Sequence, residues 1–187
     1  MTRAELEHAI RAACDVAQDD EVYVFGSQAI LGQYPDAPEA LRQSAEADIA
    51  PKNRPEMADA IDMFLGELSQ FHETHGFYVH GLGIEAARLP DGWEQRAIIV
   101  QNQNTRHNKG ICVEGHDLAA SKLVAFRDKD KDFVRVLLSE GLIRKKRLVA
   151  AINGLPIAEA DRHRLRTWVH LTAKELSGKA RAIPPRH

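Results

Sequence analysis

The run Val22-Tyr-Val-Phe-Gly-Ser-Gln-Ala-Ile-Leu31, read with Ser44-Ala-Glu-Ala-Asp-Ile49, decides how this 187-residue chain folds. Val22 to Phe25 predicts a short apolar strand that breaks at Gly26 and passes directly into a helix whose first residue or cap is Ser27. The second run predicts a strand carrying Glu46 and Asp48. Side chains along a strand alternate with period two, so both carboxylates emerge on one side, where they call for a cation.

A glycine lets the backbone approach an anion closely, and the free N–H groups and dipole at the start of the next helix suit a phosphate. A phosphate cradle beside paired carboxylates points to a magnesium-bound nucleoside triphosphate, the cation bridging carboxylate and phosphate oxygens. The order strand, Gly26-Ser27, helix, acidic-x-acidic strand resembles the signature of the polymerase-beta-type nucleotidyltransferases. Three longer blocks are similar to a bacterial branch of that superfamily related to the AbiEii abortive-infection toxins and the MenT tRNA-modifying toxins. They are FGSQAILGQYPDAPEALRQSAEADI at 25–49, YVHGLGIEAARLPDGWEQR at 78–96 and HDLAASKLVAFRDKDKDF at 116–133.

The resemblance implies an α/β (α+β) fold: a nucleotidyltransferase-like mixed sheet flanked by helices, followed by a C-terminal helical segment. Residues 1–115 would form the core and residues 116–187 a helical region with a basic tail. It further implies that Gly26 and Ser27 bind the nucleotide, that Glu46 and Asp48 are catalytic and hold Mg2+ or Mn2+, and that Lys122 is the helix lysine over the phosphates. Arg127 joins the nucleotide-binding set, and Asp130 or Asp132 is the downstream catalytic aspartate. The implied partners are a nucleoside triphosphate, a tRNA and a cognate antitoxin protein.

The chain departs from the family in three ways. Eighteen residues separate Ser27 from Glu46, a longer spacer than usual; the first acid is Glu rather than Asp; and no third carboxylate stands in Tyr78-Val-His80 or Ala97-Ile-Ile-Val100. His80 and Glu85 lie nearby. The loop Gln33 to Gln43, with Pro35 and Pro38, absorbs the extra spacer as an entrance flap or a plain insertion. Read without the family, Lys122 and the acids after it are an amphipathic helix with a surface ion pair. Read with it, the lysine stem packs on the core and holds the ammonium over a triphosphate.

A composition 44% hydrophobic and 28% charged is that of a water-soluble globular protein. No apolar run approaches the length of a membrane span, and no leader precedes the first helix, so the reading is a cytoplasmic protein with no membrane partner. Cys14 and Cys112 have neither metal-site nor disulfide spacing and read as buried thiols. The net charge of −2 conceals a division: residues 141–187 hold eleven Lys/Arg and three Asp/Glu, a balance of +8 that leaves −10 for the rest. Arg144, Lys145, Lys146, Arg147, Arg162, Arg164 and Arg166 are therefore candidate RNA contacts, with a solvated helix face as the plain alternative.

Along the chain, Thr2 and Glu5 form a capping box for a helix over 3–17, and Asp19-Asp20 reads as a solubilising turn. Pro55 opens a long helix striped by Met57, Ile61, Phe64, Leu65, Leu68 and Phe71, with His72 and His75 near its end. Strands follow at 77–81, 84–89, 96–103 and 111–113. Asp117 or His116 caps the Lys122 helix, helical structure continues from Asp132, and a last helix over 158–176 stops at Ser177-Gly178 before a frayed tail.

Overall fold

The computed structural model describes residues 1–182. Helix α1 (Arg3–Ala17) starts at the expected capping box: Glu5 N–H donates to the Thr2 hydroxyl, and Thr2 N–H donates to the Glu5 carboxylate. Its Leu6, Ile10, Ala13 and Ala17 are fully buried. Strand β1 (Glu21–Phe25) leads through Gly26 into a 3₁₀ turn (Ser27–Ala29) and a one-turn helix α2 (Ile30–Gln33). Strand β2 (Glu46–Pro51) follows the long loop. The sheet is completed by β3 (Tyr78–Gly81), β4 (Ile98–Val100) and β5 (Lys109–Cys112), in the order β3-β2-β1-β5-β4. The β1–β2 and β4–β5 pairs are antiparallel, while β2–β3 and β1–β5 are parallel, so the mixed α/β fold is the one expected.

Period two sorts the sheet into two faces. Val22, Val24, Ala47, Ile49, Val79, Gly81 and Gly110 share one face by register. Ile10 of α1 closes over Gly110, and the backbone of α3 (Ala58–Leu65) closes over Gly81, so two helices bury this side. The opposite face carries Phe25, Glu46, Asp48 and His80, and it looks toward α6 (Gly115–Ala125) and α7 (Asp128–Ser139). Helices α8 (Lys145–Asn153) and α9 (Glu159–Ala182) pack against α6. Buried side chains from the sheet and from this helical region belong to one continuous apolar cluster, from Leu6 to Val169.

Several local expectations are corrected. The long helix from Pro55 is broken: α3 stops where Gly66 turns extended, and α4 (Gln70–His75) restarts behind the Ser69 cap. Leu68, beyond the break, faces solvent instead of extending the stripe, and Phe64 lies on the exposed side of α3. The expected 84–89 strand is absent: Ile84–Ala86 form a 3₁₀ turn and 87–89 are irregular, while a short helix, α5 (Trp93–Arg96), ends on the first residue of the expected 96–103 strand, of which only Ile98–Val100 pairs. Glu114, not Asp117 or His116, caps α6 by accepting from His116 N–H at 2.8 Å. Helix α7 begins at Asp128, before the expected Asp132. Asp19 is no solubiliser: it is buried and accepts from the backbone N–H groups of Glu21, Asn53 and Arg54, tying two loops together. The last helix runs through Ser177-Gly178 to Ala182, and the rest of the expected tail, residues 183–187, lies outside the described residues. No helix among the described residues is long and apolar enough to cross a membrane. Cys14 and Cys112 are buried free thiols, both pushed up to about 12 by burial.

Candidate nucleotide and metal site

Strand register assembles the acidic centre. Asp48 pairs with Phe25 of β1 on one side and with His80 of β3 on the other, while Glu46 lies two residues back on the same face. His80 Nδ1 is 2.9 Å from Glu46 Oε1 and 3.4 Å from Asp48 Oδ1. One potential ligand atom from each of the three residues fits within a 4.8 Å group. Burial, reinforced by repulsion from Glu46 and opposed by His80 and Lys122, pushes Asp48 up to about 6. A carboxylate disfavoured in this way gains from any cation that neutralises it.

Gly26 makes room for that carboxylate. Its backbone sits at φ 72°, ψ −167°, a region essentially reserved for glycine, and a Cβ there would lie 1.8 Å from Asp48 Oδ2. Ser27 follows on the cavity wall. Gln28, next in line, is fully buried with neither end of its amide hydrogen-bonded.

The opposite wall comes from α6 and α7. Lys122 is largely buried, its ammonium 3.8 Å from Asp130 Oδ1 and 4.9 Å from the Phe133 ring centre. Burial holds the lysine below its ordinary range, partly offset by Asp130 and Asp48. Asp130 is 2% exposed and is gripped by Arg127 through two donors, Nε at 2.7 Å and a terminal nitrogen at 3.3 Å. The geometry therefore separates the two aspartates the sequence leaves open. Asp130 anchors Lys122, whereas Asp132 sits at the cavity rim with an exposed side chain paired to Arg135.

Ser27, Glu46, Asp48, Lys122, Arg127, Asp130 and Asp132 all border one cavity of about 620 Å³, with His80 beside the acids and Lys129 at the rim. The cavity is large enough for a small-molecule ligand. The long loop after α2 supplies its outer wall through Leu41, Gln43 and Ser44. This is a packed wall rather than a loose flap: Leu41 is buried, and the N-terminal ammonium donates to the carbonyls of Arg42 and Ser44. A second hollow of about 320 Å³ adjoins on the far side of Gly26, Asp48 and Lys122, lined by Phe25, Leu118, Val124 and Arg88.

Two carboxylates on rigid strands suit a divalent cation, and their oxygens are the donors Mg2+ takes. The imidazole between them lies outside the usual Mg2+ donor set and within that of transition metals. From the sequence, His80 is named only as a neighbour of the acids, together with Glu85, without a role; the register places it against both carboxylates. Its signal is the alternation Tyr78-Val-His80 against Glu46-Ala-Asp48, readable only once the β2–β3 register is known. Glu85, the other neighbour considered, is exposed and folds back on Gly83. His72 and His75, three apart at the end of α4, are engaged locally: His72 Nδ1 accepts from Leu68 N–H, and His75 packs on His8 and Phe71.

The basic candidates divide. Arg147 holds Glu114, Arg162 donates to the Asn153 carbonyl, and Arg166 bonds Asn153 and Glu159. Arg164 lies over Phe126 and pairs with Asp161. Arg144, Lys145 and Lys146 are exposed with no side-chain partner among the described residues. No protein-family model, curated protein or solved structure matches the chain.

Proposed function

We propose that the protein is a nucleotidyltransferase, moving a nucleoside monophosphate from a metal-bound nucleoside triphosphate to an acceptor hydroxyl. The observation that carries this reading is convergence: Ser27 after the Gly26 turn, the Glu46–Asp48 pair and Lys122 border one cavity although they come from distant parts of the chain, and Gly26 backs directly onto the Asp48 carboxylate. A bound divalent cation would supply charge neutralisation and orientation of the phosphates. Glu46 and Asp48 hold it, and Ser27 and its backbone N–H receive phosphate oxygens. Lys122, fixed by Asp130, balances the negative charge that builds on the departing pyrophosphate, while Arg127 and Lys129 attract the anion to the cavity mouth. Chemistry of this kind needs positioning and charge stabilisation more than covalent participation, which suits so small a set of groups.

The acceptor comes from the resemblance: the 3′ end of a tRNA, with the protein acting as a toxin restrained by a cognate antitoxin. The exposed Arg144, Lys145 and Lys146 support an RNA acceptor, because lysine and arginine on a mobile polyanion act chiefly through its phosphates. A second reading, a fold that binds nucleotide without transferring it, is favoured by the histidine standing where a third carboxylate is expected. Incubation with each α-labelled nucleoside triphosphate and total tRNA separates these readings. Label in RNA supports the transferase with a tRNA acceptor. Label in protein moves the activity to a protein hydroxyl, and no label with intact nucleotide binding supports the module.

A further inference from the structure

We propose that His80 is the third ligand of the cation held by Glu46 and Asp48, and that its imidazole makes the site prefer a first-row divalent transition metal to Mg2+. This rests on the reading that the paired carboxylates hold a cation, and it adds the identity of the ion and a residue that binds it. Three facts converge on His80. It is in register with Asp48 on the neighbouring strand, so its position is set by the sheet rather than by a loop. Its Nδ1 faces both carboxylates, at 2.9 and 3.4 Å. Together the three donors fit the spread of a single ion's ligands.

Ligand chemistry then decides the metal. Mg2+ demands oxygen donors in a near-ideal octahedron and gives up its waters reluctantly, so an imidazole nitrogen contributes little to holding it. Imidazole suits the later first-row ions best, and Mn2+, at the low end of that affinity series and otherwise an oxygen-preferring ion like Mg2+, gains from an imidazole nitrogen more than Mg2+ does. Two carboxylates neutralise the ion, a neutral imidazole adds the nitrogen, and the remaining positions stay open for phosphate oxygens and water. The competing explanation is that His80 merely donates a hydrogen bond to two crowded acids, with no part in binding an ion.

Mn2+ is the probe that tells the two apart. The full chain would be titrated with Mn2+ by electron paramagnetic resonance, and the bound ion tested for nitrogen-14 coupling by electron spin-echo modulation. We expect bound Mn2+ to show one imidazole nitrogen and to resist displacement by Mg2+ at about tenfold excess. His80→Asn should erase the coupling and weaken Mn2+ by about tenfold or more, the range that even outer-shell partners of a ligand reach, while leaving Mg2+ affinity unchanged. His80→Asp should turn the preference toward Mg2+. The His80 side chain is 40% exposed, so His80→Asn should melt close to the parent, whereas His80→Asp adds a third carboxylate to the crowded pair and should melt lower until a divalent cation is added. Bound Mn2+ without nitrogen coupling, but lost in Asp48→Asn, would overturn the assignment of His80 and leave the carboxylate site standing. Mn2+ binding that is absent, or indifferent to Asp48→Asn, would overturn both.

Discussion

Asp48→Asn should stabilise the metal-free protein, and the size and pH dependence of the gain follow from the site. The Asp48 carboxyl has an ordinary value of 3.8 and is pushed to about 6 in the fold by burial and by Glu46. Between those values the folded state holds a proton that the unfolded state has released, so stability falls as pH rises through the window and stays low above it. A shift of about two units at ~1.4 kcal/mol each sets a ceiling of about 3 kcal/mol on the cost of the ionised carboxylate at neutral pH. The side chain is 22% exposed, which lowers the expected cost to about 1–3 kcal/mol. Asparagine keeps the shape, can still accept from His80, and carries no charge. In chelator at pH 7.5 the variant should therefore melt about 2–12 °C above the parent, given ~2–4 °C per kcal/mol for a chain of this size. The advantage should shrink as pH falls below about 6, be mostly gone at about pH 4, and vanish only well below 3.8, where the carboxyl is protonated in both states. Denaturant and thermal melts from pH 4 to 8 test this. A variant that is no more stable at pH 7.5, or a gain that does not change with pH, would refute the electrostatic account of the centre.

Gly26→Ala should cost about 1–3 kcal/mol in backbone strain alone and should also abolish divalent-cation binding, because the added methyl claims the place of Asp48 Oδ2; a melt and a Mn2+ titration on one preparation give both numbers. Lys122→Met should leave stability within about 1 kcal/mol, since Asp130 keeps Arg127 and a well-packed apolar group replaces a buried charge. The same change should slow transfer by about 100-fold or more, the typical loss on removing one preorganised charge stabiliser. Gln28→Met should raise stability by about 1–3 kcal/mol, because it replaces a buried amide that has no partner by an apolar chain of similar length; chemical denaturation reads this directly, and a loss of stability would show that the amide has a partner in solution.

Much of the architecture is legible in the sequence because the signals are local and redundant. The Thr2–Glu5 box, the Val22–Phe25 run and the Glu46-x-Asp48 alternation each determine their element without help from the rest of the chain. The failures occur where tertiary packing decides. A stripe of apolar residues at helical spacing continues past Gly66, but the helix does not, and Leu68 ends in left-handed backbone with its side chain in water. Ile84 to Leu89 has the composition of a strand but finds no neighbour to pair with in the five-stranded sheet. Asp19 looks like turn punctuation because its acceptors are consumed by Asn53 and Arg54, more than thirty residues away. For the site, Gly26, Ser27, Glu46, Asp48 and Lys122 are recoverable from motif order. The choice of Asp130 over Asp132 depends on which face of α7 meets α6, and the role of His80 depends on strand register.

The proposed function requires that three chain-distant groups, the Gly26-Ser27 turn, the Glu46–Asp48 pair and Lys122, hold one metal–nucleotide complex. It is tested most directly by calorimetric titration of a nonhydrolysable nucleoside triphosphate in the presence of Mn2+, on the parent chain and on Gly26→Ala, Asp48→Asn, Lys122→Met and an Arg144→Glu/Lys145→Glu/Lys146→Glu variant. The account predicts saturable one-to-one binding that falls about tenfold or more in each of the first three variants, as expected when a charged or metal-holding group is lost, and that is unchanged in the last. Binding that survives all three cavity substitutions, or that fails only in the basic-helix variant, would contradict it.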